Sequence, residues 1–302
     1  MGPSASTLPS ILAMFLPALY SATRHAVYSV GMIPEKPRSG ERPSWGSWPL
    51  PKDEGAREHR FGDTTLVVAA DKAGEGDVLA AAVLYGRGGR TPGKKSRVLA
   101  LPPPGDPAWK RVHTPSAGDY SLMPGYPSLP VCLSLRQPFI LAPGARVEGW
   151  ICSHAEARLV LGGAEAVSLP LARPYKTLYG SPESGVVCRH DETDFLAGDE
   201  LLLASLKSDP RLIAHPVRLH NASGTPVSVA ELCVYGEQLS VLADAGGLRS
   251  ERLSFVFSES GVKMRLDGAV PQGSAVLAKP RVSGEERFIE RSFEVWKAIT
   301  KW

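Results

Sequence analysis

The sequence predicts an all-β protein. Its core reads as a β-sandwich over residues 59–282, either one body or two packed β domains split near residue 172, followed by an amphipathic helix at 283–302. Three observations carry this. Short apolar runs such as Thr64–Ala70 are bounded by Gly and charged residues, as buried strands are. Leu253, Phe255 and Phe257, then Val262, Met264 and Leu266, alternate with polar positions, so one face is buried and the other wet. Only in the last eighteen residues does the period change: Phe288, Ile289, Phe293, Trp296 and Ile299 recur at helical spacing after Ser283.

The elements follow in chain order. Residues 1–31 hold a short apolar run, Leu8–Tyr20, broken by Pro9 and Pro17. It is shorter than the roughly 20 residues of a spanning helix, and no Lys or Arg precedes it. It reads as an extension with an over-long start; a signal or membrane anchor is the alternative. Residues 32–58 are Pro-rich and read as a disordered arm, which Trp45 and Trp48 pin to the body. Asp77–Tyr85 is a second apolar run, strand-like or a helical turn, and Arg97–Leu101 is a further strand. Pro102–Pro130 carries eight prolines with Trp109, Tyr120 and Tyr126. These aromatics cover the core from outside or form a binding surface.

In the second half Phe139–Leu141, Ala145–Ile151, Ala157–Leu161, Leu201–Leu206 and Val217–His220 read as strands. Val227 and Val229 alternate in one phase and Leu232 and Val234 in the other, which predicts a bulge near Ala230. Asn221–Pro226 is a turn cluster; its Asn-Ala-Ser is also a glycosylation sequon, and the turn is the preferred role.

Composition restricts function. A net charge of +3 is too small to imply nucleic acid. One asparagine and three glutamines suit a protein that works hot, or reflect codon bias. Cys132, Cys152, Cys188 and Cys233 are scattered, mostly among aliphatic neighbours, and read as buried free thiols. No nucleophile-elbow, zincin, phosphate-loop or dinucleotide signature is present, so no cofactor is expected, and a cytoplasmic location is preferred to a membrane-associated one.

Lys176–Asp191 is the densest set of position-specific residues: a strand, a turn at Gly180-Ser-Pro182, and a second strand from Gly185. Strand periodicity puts Cys188 and His190 on one face, and likewise Cys152 and His154. Two Cys-x-His pairs could meet as a Cys2His2 metal site. Cys188, His190 and Asp191 or Asp194 could serve a hydrolase. Set against these is the ordinary role of buried thiols and satisfied imidazoles. Gly86–Arg97 holds Arg87, Arg90, Lys94, Lys95 and Arg97 without an acid. It is either a solvated hairpin tip or a seat for anionic lipid or nucleic acid.

The run Tyr-Gly-x-Pro-x-x-Gly from Tyr179 to Gly185, with Cys188-Arg189 after it, resembles the archaeal proteins grouped as domain of unknown function 432, over residues 140–280. His190 stands where that family more often has an aromatic. The resemblance implies an archaeal source and no activity. It also implies a link, through some relatives, to small mechanosensitive-type channels. The expected function is a non-enzymatic binding or assembly module with a protein partner or a second copy. Its expected surface is Tyr179, Arg189 and His190 with Phe293 and Trp296. The alternatives are the Cys188/His190 enzyme and the basic-loop binder.

Overall fold

The computed structural model describes residues 45–51, 55–71, 77–86, 106–114, 118–183, 185–244, 246–267 and 273–282. Along the chain come β1 (Gly46–Trp48), β2 (Ala56–Phe61), β3 (Thr64–Asp71), β4 (Asp77–Tyr85) and β5 (Lys110–Thr114). Next are β6 (Tyr120–Gly125), β7 (Val131–Leu141), β8 (Arg146–His154), β9 (Glu156–Leu161) and β10 (Ala164–Pro170). β11 (Tyr175–Tyr179), β12 (Val186–Thr193), the helix α1 (Asp199–Ser208), β13 (Leu212–Asn221) and β14 (Val227–Val234) follow. Last are β15 (Val241–Asp244), β16 (Gly247–Arg249), β17 (Leu253–Ser258), β18 (Gly261–Leu266) and β19 (Ala275–Ala278).

The protein is all-β with mixed sheets. β2-β3-β4-β5 and β1-β6-β9-β10 are antiparallel. In β11-β12-β7-β14 the central pair β12–β7 is parallel. In the largest sheet β13 runs parallel to β16 and β17, and β8 joins its other side antiparallel. One core draws on all four sheets, through Leu66 and Leu79, Tyr120 and Leu159, Leu133 and Leu232, and Leu219 and Phe255. Residues on both sides of position 172 share it. Each such side chain contributes about 1.5–3 kcal/mol on burial. Both faces of β3 and β4 are buried, which explains their unbroken apolar runs, and Trp109 covers their second face. Tyr120 and Tyr126 lie inside the main core rather than covering it from outside.

Several expectations hold. Trp45 packs on Phe61 at 4.9 Å and Trp48 on His59 at 5.2 Å, while β1 pairs with β6. Residues 46–48 and 56–58 of the expected arm are therefore strand. Asp77–Tyr85 is a strand. The pairing of β14 with β7 breaks between Val229 and Glu231, where Pro138 of β7 also withholds an N–H from the ladder. Asn221 is buried and holds the turn: it donates to the carbonyls of Leu141 and Thr225 and accepts from Ser223, which rules out the sequon's use in this fold. All four cysteines are free and buried.

One strand assignment is corrected. Leu201–Leu206 lies in α1, where Leu202 and Leu206 are buried and Leu201 is exposed. Asp199 and Glu200 in the first turn and Lys207 in the last suit the helix dipole. Arg97–Leu101, residues 1–44, the basic residues Arg87, Arg90, Lys94, Lys95 and Arg97, and the expected helix with Phe293 and Trp296 lie outside the described residues. No described helix is long and apolar enough to cross a membrane.

Candidate functional site

β8 pairs with β13 on one side only, so alternate N–H groups on its other edge need partners. The chain from β12 onward supplies them. Trp150 N–H donates to the Leu196 carbonyl (2.8 Å), Cys152 N–H to Thr193 Oγ1 (2.9 Å) and His154 N–H to Asp191 Oδ2 (2.8 Å). Arg189 extends this polar seam by pairing with Glu156 of β9. Arg189, Asp191 and Thr193 are alternate residues of β12 and so share one face.

At the seam's open end stands a chain of alternating charges. His154 Nδ1 lies 2.8 Å from Asp191, and its Nε2 lies 3.5 Å from Asp209 Oδ2. Asp209 receives Arg211 in a fork, with Nε at 2.7 Å and Nη2 at 2.6 Å. Arg211 Nη1 reaches Asp63, in the turn between β2 and β3, at 2.6 Å and Oγ1 of Thr64, at the start of β3, at 2.8 Å. Burial works against a charged His154, but hydrogen bonds and charge from Asp191 and Asp209 prevail and push it up to about 9. Burial likewise opposes ionised Asp191 and Asp209. Hydrogen bonds from His154, joined by Arg211 at Asp209, nevertheless hold both below the ordinary carboxylate value.

His154, Asp191, Arg211, Asp63 and Thr64 line a cleft of about 850 Å³ beside β12, where β11 stops pairing: Tyr175 faces His190, and Asp191 and Glu192 have no β11 partner. The opposite wall holds Asp63, Thr64, Tyr85 and Gly86 from the β2–β3 turn and β4. The third wall is Ala172–Tyr175, between β10 and β11. Three consecutive carbonyls of this connection take buried or half-buried donors. Tyr85 Oη donates to Pro170 (2.7 Å), Thr64 Oγ1 to Leu171 (3.0 Å) and Arg189 Nη2 to Ala172 (2.9 Å). Burial raises the Tyr85 phenol, so it stays protonated and donating. Arg136 closes the cleft, paired with Asp194 (2.6 Å) and Glu192 (3.7 Å).

Of the expected surface residues, His190 lines the cleft, with Nε2 3.2 Å from Ser134 Oγ. Tyr179 is buried with Cys132, Cys188, Cys233 and Tyr235, and Arg189 is engaged in the seam. The Cys2His2 arrangement is not formed. Cys152 packs with Leu202, Leu206 and Ala214, whereas Cys188 lies on the β12 face opposite to Asp191 and Thr193, the residues that meet β8. Among the described residues no His, Cys, Asp and Glu converge to hold a metal ion. Cys188, the candidate nucleophile, is fully buried and packs with Cys132, Cys233, Tyr179 and Tyr235. A hydrogen bond with Cys233 lowers the Cys188 thiol and raises that of Cys233, while burial pushes Cys132 and Cys152 up to about 12. The basic stretch joins the fold at Gly86 in the cleft wall. Asp63, Tyr85, Arg136, Arg173, Asp209 and Arg211 were not legible as a site, because they come from separate stretches that only the fold brings together.

Fold and site together define an all-β protein with a polar cleft braced by an internal ion-pair chain. The family described as "Protein of unknown function (DUF432)" matches residues 44–297, and the chain belongs to it. The match is wider than the 140–280 of the sequence resemblance. No curated protein and no solved structure matches the chain.

Proposed function

We propose that this is a non-enzymatic binding module and that the cleft is its ligand seat. One observation carries the reading. A cleft of about 850 Å³ is walled by side chains and carbonyls already fixed by hydrogen bonds and ion pairs. That volume lies within the roughly 300–1,000 Å³ of small-molecule sites, and a wall fixed beforehand lowers the cost of binding. The buried Cys188 argues against the enzyme reading.

Native mass spectrometry of the protein isolated from its own host tests this. A small-molecule adduct is expected, and Ala172→Phe, which places a ring in the cleft wall, removes it. An adduct that survives Ala172→Phe, or the bare polypeptide mass throughout, overturns the reading.

A second reading, assembly with a protein partner or another copy in the cytoplasm, has one favouring observation. Leu178 and Val187 are cross-strand neighbours on β11 and β12 and are 43% and 51% exposed, on a sheet edge. The same spectrum reports oligomeric mass. Scarce amide side chains support a thermophilic source.

A further inference from the structure

We propose that the cleft receives a small organic oxyanion carried on a flat ring, with Arg173 as its anchor and Tyr175 as its stacking face. The inference rests on the cleft being the ligand seat.

Charge decides the ligand's sign. The three carboxylates of the wall are each held by a cation: Asp63 by Arg211, Asp191 by His154 and Glu192 by Arg136. A cationic ligand would have to displace one of these partners. Of the three wall arginines, Arg136 and Arg211 are paired, whereas Arg173 has no carboxylate partner among the described residues. Its guanidinium sits over the Tyr85 ring, 5.9 Å from the ring centre, and no described residue accepts from its N–H groups, which suit a planar or tetrahedral oxyanion.

Fixed geometry makes this arginine an anchor rather than a surface charge. The three residues before it, Pro170, Leu171 and Ala172, each have their carbonyl held by a side chain from another strand. The backbone that presents Arg173 is therefore set before any ligand arrives.

The lining decides the rest of the ligand. Among the described residues no Leu, Ile, Val, Phe or Met lines the cleft, which disfavours an acyl chain there. The largest apolar groups among its lining are the rings of Tyr85 and Tyr175. Tyr175 is 62% exposed at the cleft mouth, two residues from Arg173, and offers a ring face to a ring on the ligand. A carboxylate and a phosphate monoester share this chemistry.

Amide-resolved NMR titration of the isotope-labelled full chain tests the proposal with four probes: phenyl phosphate, benzoate, inorganic phosphate and benzylamine. Phenyl phosphate or benzoate is expected to move the His154 and Glu192 amides, both hydrogen-bonded to Asp191 in the cleft. Whichever of the two binds more tightly distinguishes the phosphate from the carboxylate. Arg173→Ala should weaken binding about tenfold or more with the fold retained. Tyr175→Ala should weaken phenyl phosphate and leave inorganic phosphate unchanged. Benzylamine binding at the same amides, with an affinity that Arg173→Ala does not alter, overturns the ligand class while leaving the cleft a ligand seat. Silence of the cleft amides to every anionic probe overturns the proposal itself.

Discussion

Replacing Asp191 with asparagine tests whether the ion-pair chain holds the fold together. The substitution keeps shape and removes charge. Asp191 accepts from the His154 and Glu192 N–H groups, at 2.8 and 2.9 Å, and from His154 Nδ1 at 2.8 Å. Removing one partner of a buried pair costs about 3–5 kcal/mol if the other must stay charged. His154 need not stay charged, however; it can release its proton. Its folded value is about 9, so keeping it charged at pH 7 is worth about two units, or about 3 kcal/mol, which sets the scale of the loss; Asn, with one acceptor oxygen, also leaves one of the two backbone N–H groups unpaired. At this chain size the melting point should fall by about 6–12 °C. Urea unfolding at pH 7 should show a lower midpoint with unchanged slope. The same comparison at pH 10, where His154 is neutral in the parent as well, should show a clearly smaller loss. A loss below about 1 kcal/mol at pH 7, or an equal loss at both pH values, refutes the argument.

Stability should be greatest near pH 6.5 and fall on either side of it. His154, raised from 6.5 to about 9, contributes fully below 6.5, and its contribution is lost as pH rises through 9. Burial holds His59 down to about 4 and His215 to about 3, so each favours the unfolded chain once pH falls below 6.5. Asp191 and Asp209, both lowered, add a further loss as pH falls below 3.8. Melting temperature against pH checks all three limbs. Glu156→Gln, which strands Arg189, should cost about 3 kcal/mol or more by urea titration. Gly185→Ala should also destabilise strongly, because a Cβ there would stand 2.5 Å from the Ser181 carbonyl oxygen; calorimetry reads this. A thiol reagent should find no reactive cysteine in the native protein and four after unfolding.

Period-two alternation made β17 and β18 legible, and the phase slip at Ala230 revealed the bulge, because one face of each strand meets the core. α1 was hidden for a physical reason. Leu201, Leu202, Leu203, Leu206 is as apolar as a buried strand, and ten residues give the helical period too few repeats to separate from it. The acidic pair Asp199-Glu200 was the available signal. The site was hidden differently. On β12, Arg189, Asp191 and Thr193 alternate as solvent-facing residues do, yet they face another strand. Polar residues mark an inward face when the facing edge offers unpaired N–H groups, and neither strand's sequence records the other's edge.

This explains the role of the Tyr179–Gly185 turn, none of whose described residues lines the cleft. Gly180 takes a positive φ of 100°, and Gly185 N–H closes back on the Ser181 carbonyl at 2.6 Å. Together they fix the turn from β11 into β12, and with it the register of every β12 residue. Register matters more here than in most strands. A slip of one residue would turn Arg189, Asp191 and Thr193 away from β8 and β9 and present His190 and Glu192 instead. The β8 amides would lose their acceptors, His154 its carboxylate and the Ala172 carbonyl its arginine, all in one step. The Tyr-Gly-x-Pro-x-x-Gly turn thus acts on the cleft from a distance: it places no atom in the wall, and it sets the alignment from which the wall is built.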